Sequence, residues 1–218
     1  MTNRYWPLAD LRLASPDLVL RPVTEADLAE LAGLLPDDVE QDPALTWDVG
    51  DPGLSRGVIF HQSYWKALGT WRPEAWRLSF AVCAAGQILG VQELEGNDFP
   101  LLRTVDTASF LVPGARGRGY GQQMRRAVLA LAFGPLQAQA AITSAWHDNH
   151  ASLGVSRALG YRPNGESLHA RGPRADVMRH MRLVRADWLA GGAGDQIRIS
   201  GFEACRPLFG LRPPTRWR

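Results

Sequence analysis

Val112-Pro113-Gly114-Ala115-Arg116-Gly117-Arg118-Gly119-Tyr120-Gly121-Gln122 is the stretch on which the reading of this chain turns. The residues before it, Thr104 to Val112, read as a strand with Val105, Thr107, Ser109 and Leu111 on one face. The glycines then leave the backbone uncovered, and a helix is expected from about Tyr120 to Phe133, ended by Gly134-Pro135. Uncovered amide N–H groups at the positive end of a helix form an anion cradle, and Arg116 and Arg118 add charge. A pyrophosphate is the natural guest; the alternative is a tight turn that needs positive φ. A phosphate loop of the Gly-x4-Gly-Lys-Ser/Thr kind is excluded, because Lys66 is the only lysine in the chain. A dinucleotide fingerprint also fails, since Gly117 and Gly119 are followed by Gln122 and the loop lies in mid-chain.

Outward from the loop, Ala140 to Trp146 reads as a strand and Asn149 to Leu159 as a helix stopped by Gly160. Tyr161 to His169 and Asp176 to Val184 read as two closing strands. Upstream, residues 77–85 and 87–95 form a hairpin around Ala85-Gly86-Gln87, followed by a turn at Asn97-Asp98-Phe99-Pro100. Leu18 to Val23 is a first strand. Thr24-Glu25-Ala26-Asp27 reads as a capping box before Leu28, Leu31, Leu34 and Leu35 at helical spacing. Asp37 to Gly57 reads as a long loop, with Ser55 capping a helix from about Arg56 to Leu68. Consecutive strands imply antiparallel pairing, and the strand–helix–strand step over 104–146 implies a parallel or splayed neighbour. The expected fold is α+β (mixed α/β): a central twisted, mostly antiparallel sheet with a splayed strand pair and flanking helices.

Composition sets the frame. A chain of 218 residues with 45% hydrophobic and 21% charged residues can bury a full core, which argues against wholesale disorder. It reads as one domain over 1–190 with a tail over 191–218. The net charge of +2 is too even to suggest a nucleic-acid or membrane surface. Cys83 and Cys205 are too few for a disulfide framework or a four-ligand zinc site. With no apolar leader and no long apolar run, the expectation is a cytoplasmic protein.

At this point the residues match a known pattern. Arg116-x-x-Gly119-x-Gly121 resembles the acyl-CoA pyrophosphate loop of the GNAT acyltransferases, Gln/Arg-x-x-Gly-x-Gly/Ala. Asn149-His150-Ala151-Ser152 followed by Leu159-Gly160-Tyr161 resembles the family's next motif at the usual spacing. Leu18 to Asp27 is similar to the opening of the branch related to ribosomal-protein N-terminal acetyltransferases. The resemblance covers roughly residues 16–185. Gly90-Val-Gln-Glu93, Met124 to Val128 and the tail segment Gly201 to Gly210 further resemble a mycobacterial succinyltransferase of this branch.

The resemblance implies an enzyme that moves an acetyl or succinyl group from CoA to an amine of a small molecule or protein, with no metal. A non-catalytic acyl-CoA-binding regulator is the alternative. CoA would lie against Leu111, Val112, Arg116, Gly117, Arg118, Gly119, Tyr120 and Gly121, with Asn149 and Ser152 across from them. A backbone N–H around Leu111 would stabilise the oxyanion. Family members often use a glutamate on the preceding strand as base, which points to Glu93; Glu95 shares its face, and Asp106 is a further carboxylate. The other reading of Glu93 is an edge-strand charge or a partner of arginine. Many relatives place a tyrosine seven residues after the asparagine, where this chain has Ser156. Ser152 is the group that would approach the sulfur, unless it is an ordinary helix hydroxyl. Trp47, His61 and Trp65 would border the acceptor pocket. Four of the eight tryptophans lie at 47, 65, 71 and 76, as core packing or as walls of that pocket. Lys66, Arg72 and Arg77 could meet an acyl carboxylate. His147 and His150 invite a metal reading, but no third ligand is evident.

The tail is not featureless. Gln196 to Ser200 alternates as a strand would, and Phe202, Leu208, Phe209 and Leu211 are costly to leave in water. It is expected to pack on the domain and to help form a homodimer, with Cys205 reduced and buried.

Overall fold

A computed structural model of the chain describes residues 3–39, 47–192 and 194–211. The expected loop at 37–57, the Gly191–Gly194 joint and the tail therefore fall partly outside the described residues. A short 3-10 turn, Pro7–Asp10, leads into β1 (Arg12–Ala14) and β2 (Val19–Pro22). The capping box forms as read: Asp27 accepts the Thr24 N–H at 2.7 Å and also holds Arg21 in a two-pronged ion pair. The hydrogen bonds from Arg21 pull the Asp27 pKa down to about 2. Two helices follow, α1 (Leu28–Gly33) and α2 (Pro52–Gly69).

The start of α2 corrects the sequence reading. Asp51, not Ser55, is the cap, accepting the Leu54 N–H at 2.7 Å, and Pro52 fills the first helical position. Proline is well placed there because its missing N–H would have had no partner. Ser55 lies one turn inside and donates to the Asp51 carbonyl.

The hairpin β3 (Ala75–Ala84) and β4 (Gln87–Asn97) is longer than expected. The turn at 97–100 becomes one helical turn, α3 (Phe99–Leu102), with Phe99 buried. The expected strand at Thr104 to Val112 is broken into β5 (Thr104–Asp106) and β6 (Ser109–Leu111). Then come α4 (Tyr120–Phe133), β7 (Ala140–Trp146), α5 (His150–Ala158), β8 (Arg162–Arg171) and β9 (Arg174–Val184). A short α6 (Arg185–Ala190), absent from the sequence reading, precedes β10 (Arg198–Ser200) and α7 (Phe202–Cys205).

The ten strands form one sheet in the order β10-β1-β2-β3-β4-β5-β7-β9-β8, with β6 also on β4. Among the described residues only β5 and β7 pair in parallel. Strand alternation sorts two cores. Leu78, Phe80, Leu94 and Val105 face α4 with its Val128, Leu131 and Phe133. Val91 and Ala81 face the opposite side, against Leu28 and Leu31 of α1. The residues between them in the pleat, Gln92 on the α4 side and Glu93 on the α1–α2 side, are thereby assigned to opposite faces of the sheet.

The tail packs back on the sheet. β10 pairs antiparallel with β1, and Phe202, Cys205 and Phe209 are buried. Trp71 donates its indole N–H to the Leu208 carbonyl at 2.9 Å, and Phe209 lies 4.9 Å from Trp76. Trp71 and Trp76 pack in a cluster with Trp6, Phe99 and Phe209, and Trp76 also lines a cleft beneath α2. Burial pushes the Cys205 thiol up to about 11, which keeps it protonated and inert. Burying two phenylalanines contributes on the order of 3–6 kcal/mol before entropy. Ending the chain after Gly194 should lower the melting temperature by roughly 10 °C or more, measured by calorimetry. An unchanged melt would show that the tail adds nothing to the fold.

Candidate active site

The Gly-rich loop is built as a cradle. Gly117 and Gly119 take φ of 75° and 79°, the left-handed region that a β-branched residue resists. Among the described residues, the amides of 117–121 find no backbone acceptor, and the first bonds of α4 run from Gln122 and Gln123 to the Gly119 carbonyl. A row of unpartnered N–H groups thus meets the positive end of a 14-residue helix. Arg118 is exposed at the loop. Arg116 is engaged elsewhere: it grips Asp38 with two bonds of 2.7 and 2.8 Å and donates to the Leu111 carbonyl. Those bonds hold the Asp38 carboxyl below its ordinary range and tie the loop to the segment after α1.

Beside the loop the sheet splits. β5 runs with β7 as far as Asp106 and Ile142. Thr107 and Ala108 then break the strand. The Gln92 side-chain NH2 donates to the carbonyls of Ala108 and Glu93, both at 2.9 Å, and Glu93 N–H adds a bond to Ala108. Thr143 donates to the Thr107 carbonyl at 3.0 Å, and Thr107 to the Ile142 carbonyl, locking the vertex of the split. Past it, β6 stays on β4 while β7 goes on with β9. Gly90 permits this: its φ is 155°, and a Cβ there would lie 2.1 Å from the Phe110 carbonyl oxygen. Because Val112 N–H bonds back to Leu89, ladder alternation turns the Ser109 and Leu111 amides toward the opening.

The carboxylates lie on the α1–α2 face. Glu93 sits opposite Ser79, which donates to it at 2.9 Å; Glu95 sits opposite Arg77 and accepts its Nε–H at 2.7 Å. Asp106 pairs with Glu95 across the strands. Burial pushes the Glu93 pKa up, against Arg77 and the Ser79 hydrogen bond. Burial likewise lifts Asp106 to about 6, although the Thr107 N–H holds it at 2.6 Å. Its folded pKa is thus above the unfolded value, so its contribution is full below about pH 4 and is lost as pH rises through 6. Asp106→Asn should remove that loss and raise stability at pH 8 by about 2–3 kcal/mol, read from denaturant melts at pH 4 and 8. A variant less stable than wild type at pH 8 would refute it.

A cleft of about 300 Å³ opens on the same face, lined by Lys66 of α2, by Thr70 just past its end and by Arg72, Arg77 and Glu95. Of the expected acceptor residues, His61 and Trp65 lie on α2 and Trp47 beside it, and none of the three lines the cleft. Trp47 donates to Gln62 at 2.6 Å, His61 Nδ1–H donates to the Gly57 carbonyl, and Trp65 stands half exposed against the His61 ring. Across the split, Asn149 caps α5 by accepting the Ser152 N–H at 3.0 Å. Ser152 is partly exposed, whereas Ser156 is buried and bonded to the Ser152 carbonyl. His147 does not meet His150 as a ligand pair; it contacts Asp176, whose carboxylate and that of Asp148 are both held by Arg171. His147, Asp148 and Asp176 bring three ligand atoms within 4.8 Å of one another, so the third ligand that was not evident in the sequence is supplied by folding, with Arg171 bonded to both carboxylates.

Sequence reasoning named the loop and Glu93. It missed Asp38, Ser79 and Arg125, the last a buried α4 residue whose guanidinium touches Thr143 and Ser109. Ser79 was readable from the hairpin register; the other two depend on contacts distant in sequence.

Three comparisons bear on this arrangement. Residues 17–162 match the model of the acetyltransferase (GNAT) domain. The fold is similar to that of Mycobacterium smegmatis RimJ in complex with CoA-disulfide, at a TM-score of 0.65 and 16% identity over 88% of this chain and 98% of that one. It is also similar to a chimera of spermidine N-acetyltransferase SpeG from Vibrio cholerae and hSSAT, at a TM-score of 0.63 and 16% identity over 79% and 98%.

Proposed function

The chain belongs to the acetyltransferase (GNAT) family, and on that premise we propose that it transfers an acetyl or succinyl group from CoA to an amine of a small molecule or protein. The observation that carries the reading is the row of unpartnered amides at 117–121 opening onto the split between β6 and β7. The amides and Arg118 hold the pyrophosphate. The opened edge of β6 offers N–H and C=O groups to the pantetheine amides, as a missing strand would. The Leu111 N–H stabilises the oxyanion.

Glu93, directly or through one water, takes the proton as the amine nitrogen attacks the thioester carbon. The C–S bond then breaks, Ser152 steadies the leaving thiolate by donating a hydrogen bond, and the sulfur takes its proton from water as Glu93 releases its own to solvent, leaving amide and free thiol. Ser156 takes no part, since it is buried and bonded away from the split. The acceptor approaches along the cleft below α2, past Lys66, Trp76, Arg77 and Glu95, with Trp47, His61 and Trp65 outside its lining. The protein works as a homodimer, and sedimentation velocity at micromolar concentration should give twice the mass of the chain.

Calorimetric titration with CoA, together with thiol release from acetyl-CoA and succinyl-CoA over a panel of amines read by intact mass, tests the reading. CoA binding with turnover supports it. Binding without thiol release would make the chain a CoA-binding regulator, and no binding would overturn the proposal.

A further inference from the structure

Arg125 is 3% exposed, yet it has no carboxylate partner within 4 Å among the described residues. Its guanidinium reaches from α4 across the split, touching Thr143 on β7 at 3.3 Å and Ser109 on β6 at 3.5 Å. Both contacts are long, both are to hydroxyls, and its Nε–H has no acceptor at all. Two further polar atoms nearby lack a well-formed hydrogen bond: the Gln92 Oε1, on the strand position opposite Ser109, and the Tyr161 hydroxyl, which has Arg125 and Thr107 as its neighbours. The Asp106 carboxylate acts on Arg125 through space but makes no ion pair with it within 4 Å, so a buried guanidinium with unsatisfied donors remains, and that is costly. An anion entering from outside would satisfy those donors, and Ser109, exposed on β6, marks the way in.

We propose that Arg125 seats a carboxylate on the far end of the acyl group, making the preferred donor a dicarboxylic acyl thioester of the succinyl type. The inference rests on the CoA reading above. The guanidinium fork matches a carboxylate with two parallel bonds, and the Tyr161 hydroxyl is a further donor. The cations Lys66, Arg72 and Arg77, which the sequence suggested for this role, line the cleft on the opposite side of the sheet. They are therefore left to the acceptor side.

Two stable CoA thioethers that differ only at the chain end, S-(3-carboxypropyl)-CoA and S-butyl-CoA, test this without an acceptor. Titration calorimetry should show the carboxylated ligand binding at least tenfold tighter to the wild-type chain. Arg125→Met should bring the ratio of the two affinities to about one, and Arg125→Lys should keep part of it. The ratio is taken within each variant, so a reduced folded fraction cancels. Should Arg125→Met not fold, the ratios of wild type and Arg125→Lys decide. No preference in the wild type, or a preference that survives Arg125→Met, overturns the inference while leaving CoA binding intact. Failure of CoA itself to bind would instead overturn the acyltransferase reading.

Discussion

Gly119→Val is expected to weaken CoA binding by roughly 30- to 1,000-fold. Gly119 stands at φ 79°, and no atom lies within 4 Å of where its Cβ would be. The damage is therefore conformational and not a clash. A β-branched residue is forced out of the left-handed region, at a cost of about 1–2 kcal/mol or more. Its own amide and those of its neighbours then swing out of the cradle, and each charge-assisted bond lost costs about 1.5–3 kcal/mol. The control is Gly154→Val on α5, where a Cβ also meets nothing within 4 Å and no positive φ is involved. That variant should bind CoA normally in the same calorimetric titration. Undiminished affinity in Gly119→Val would defeat the assignment of the loop.

Glu93→Gln is expected to lower turnover by about 100-fold or more, with CoA affinity changed by little. Burial holds the Glu93 pKa above its ordinary value, so the wild-type rate should rise with pH through that raised pKa as the base deprotonates. The variant has no such group and should lose the acidic limb of its rate–pH profile. Stability provides the cross-check. Because the folded pKa exceeds the unfolded one, the contribution of Glu93 is full below about pH 4 and lost as pH rises through the folded pKa. Glutamine keeps the contact with Ser79 and avoids the buried charge, so Glu93→Gln should melt higher than wild type at pH 8. A variant that melts lower and keeps its turnover would make Glu93 a structural residue.

The elements legible in the sequence are those whose signals are local. Gly134-Pro135 ends α4, Gly160 at φ 88° ends α5, and Thr24 with Asp27 closes a capping box, each through backbone geometry within a few residues. The Ala140–Trp146 strand matches residue for residue because its apolar run is bounded by polar turns. The break at Thr107-Ala108 was not legible, since nothing in Thr104 to Val112 itself interrupts a strand. It is imposed by Gln92, Thr143 and Ile142, residues 15 to 36 positions away. The cap of α2 was misplaced for a different reason. Ser55 and Asp51 are both good caps, and only the position of Pro52 relative to the chain path decides between them.

The sequence by itself determined the class of sheet, the glycine-rich loop and the glutamate that faces away from α4, because glycine conformation and strand alternation act over short range. Only the tertiary structure decided what each charge meets. Arg116 turns to Asp38, Asp106 loses its water and is lifted to about 6, and Arg125 is left beneath the split strands with its Nε–H unpartnered. The physical reason is that a side chain's charge state depends on desolvation and on partners brought together by folding, and neither has a period or a spacing in the chain.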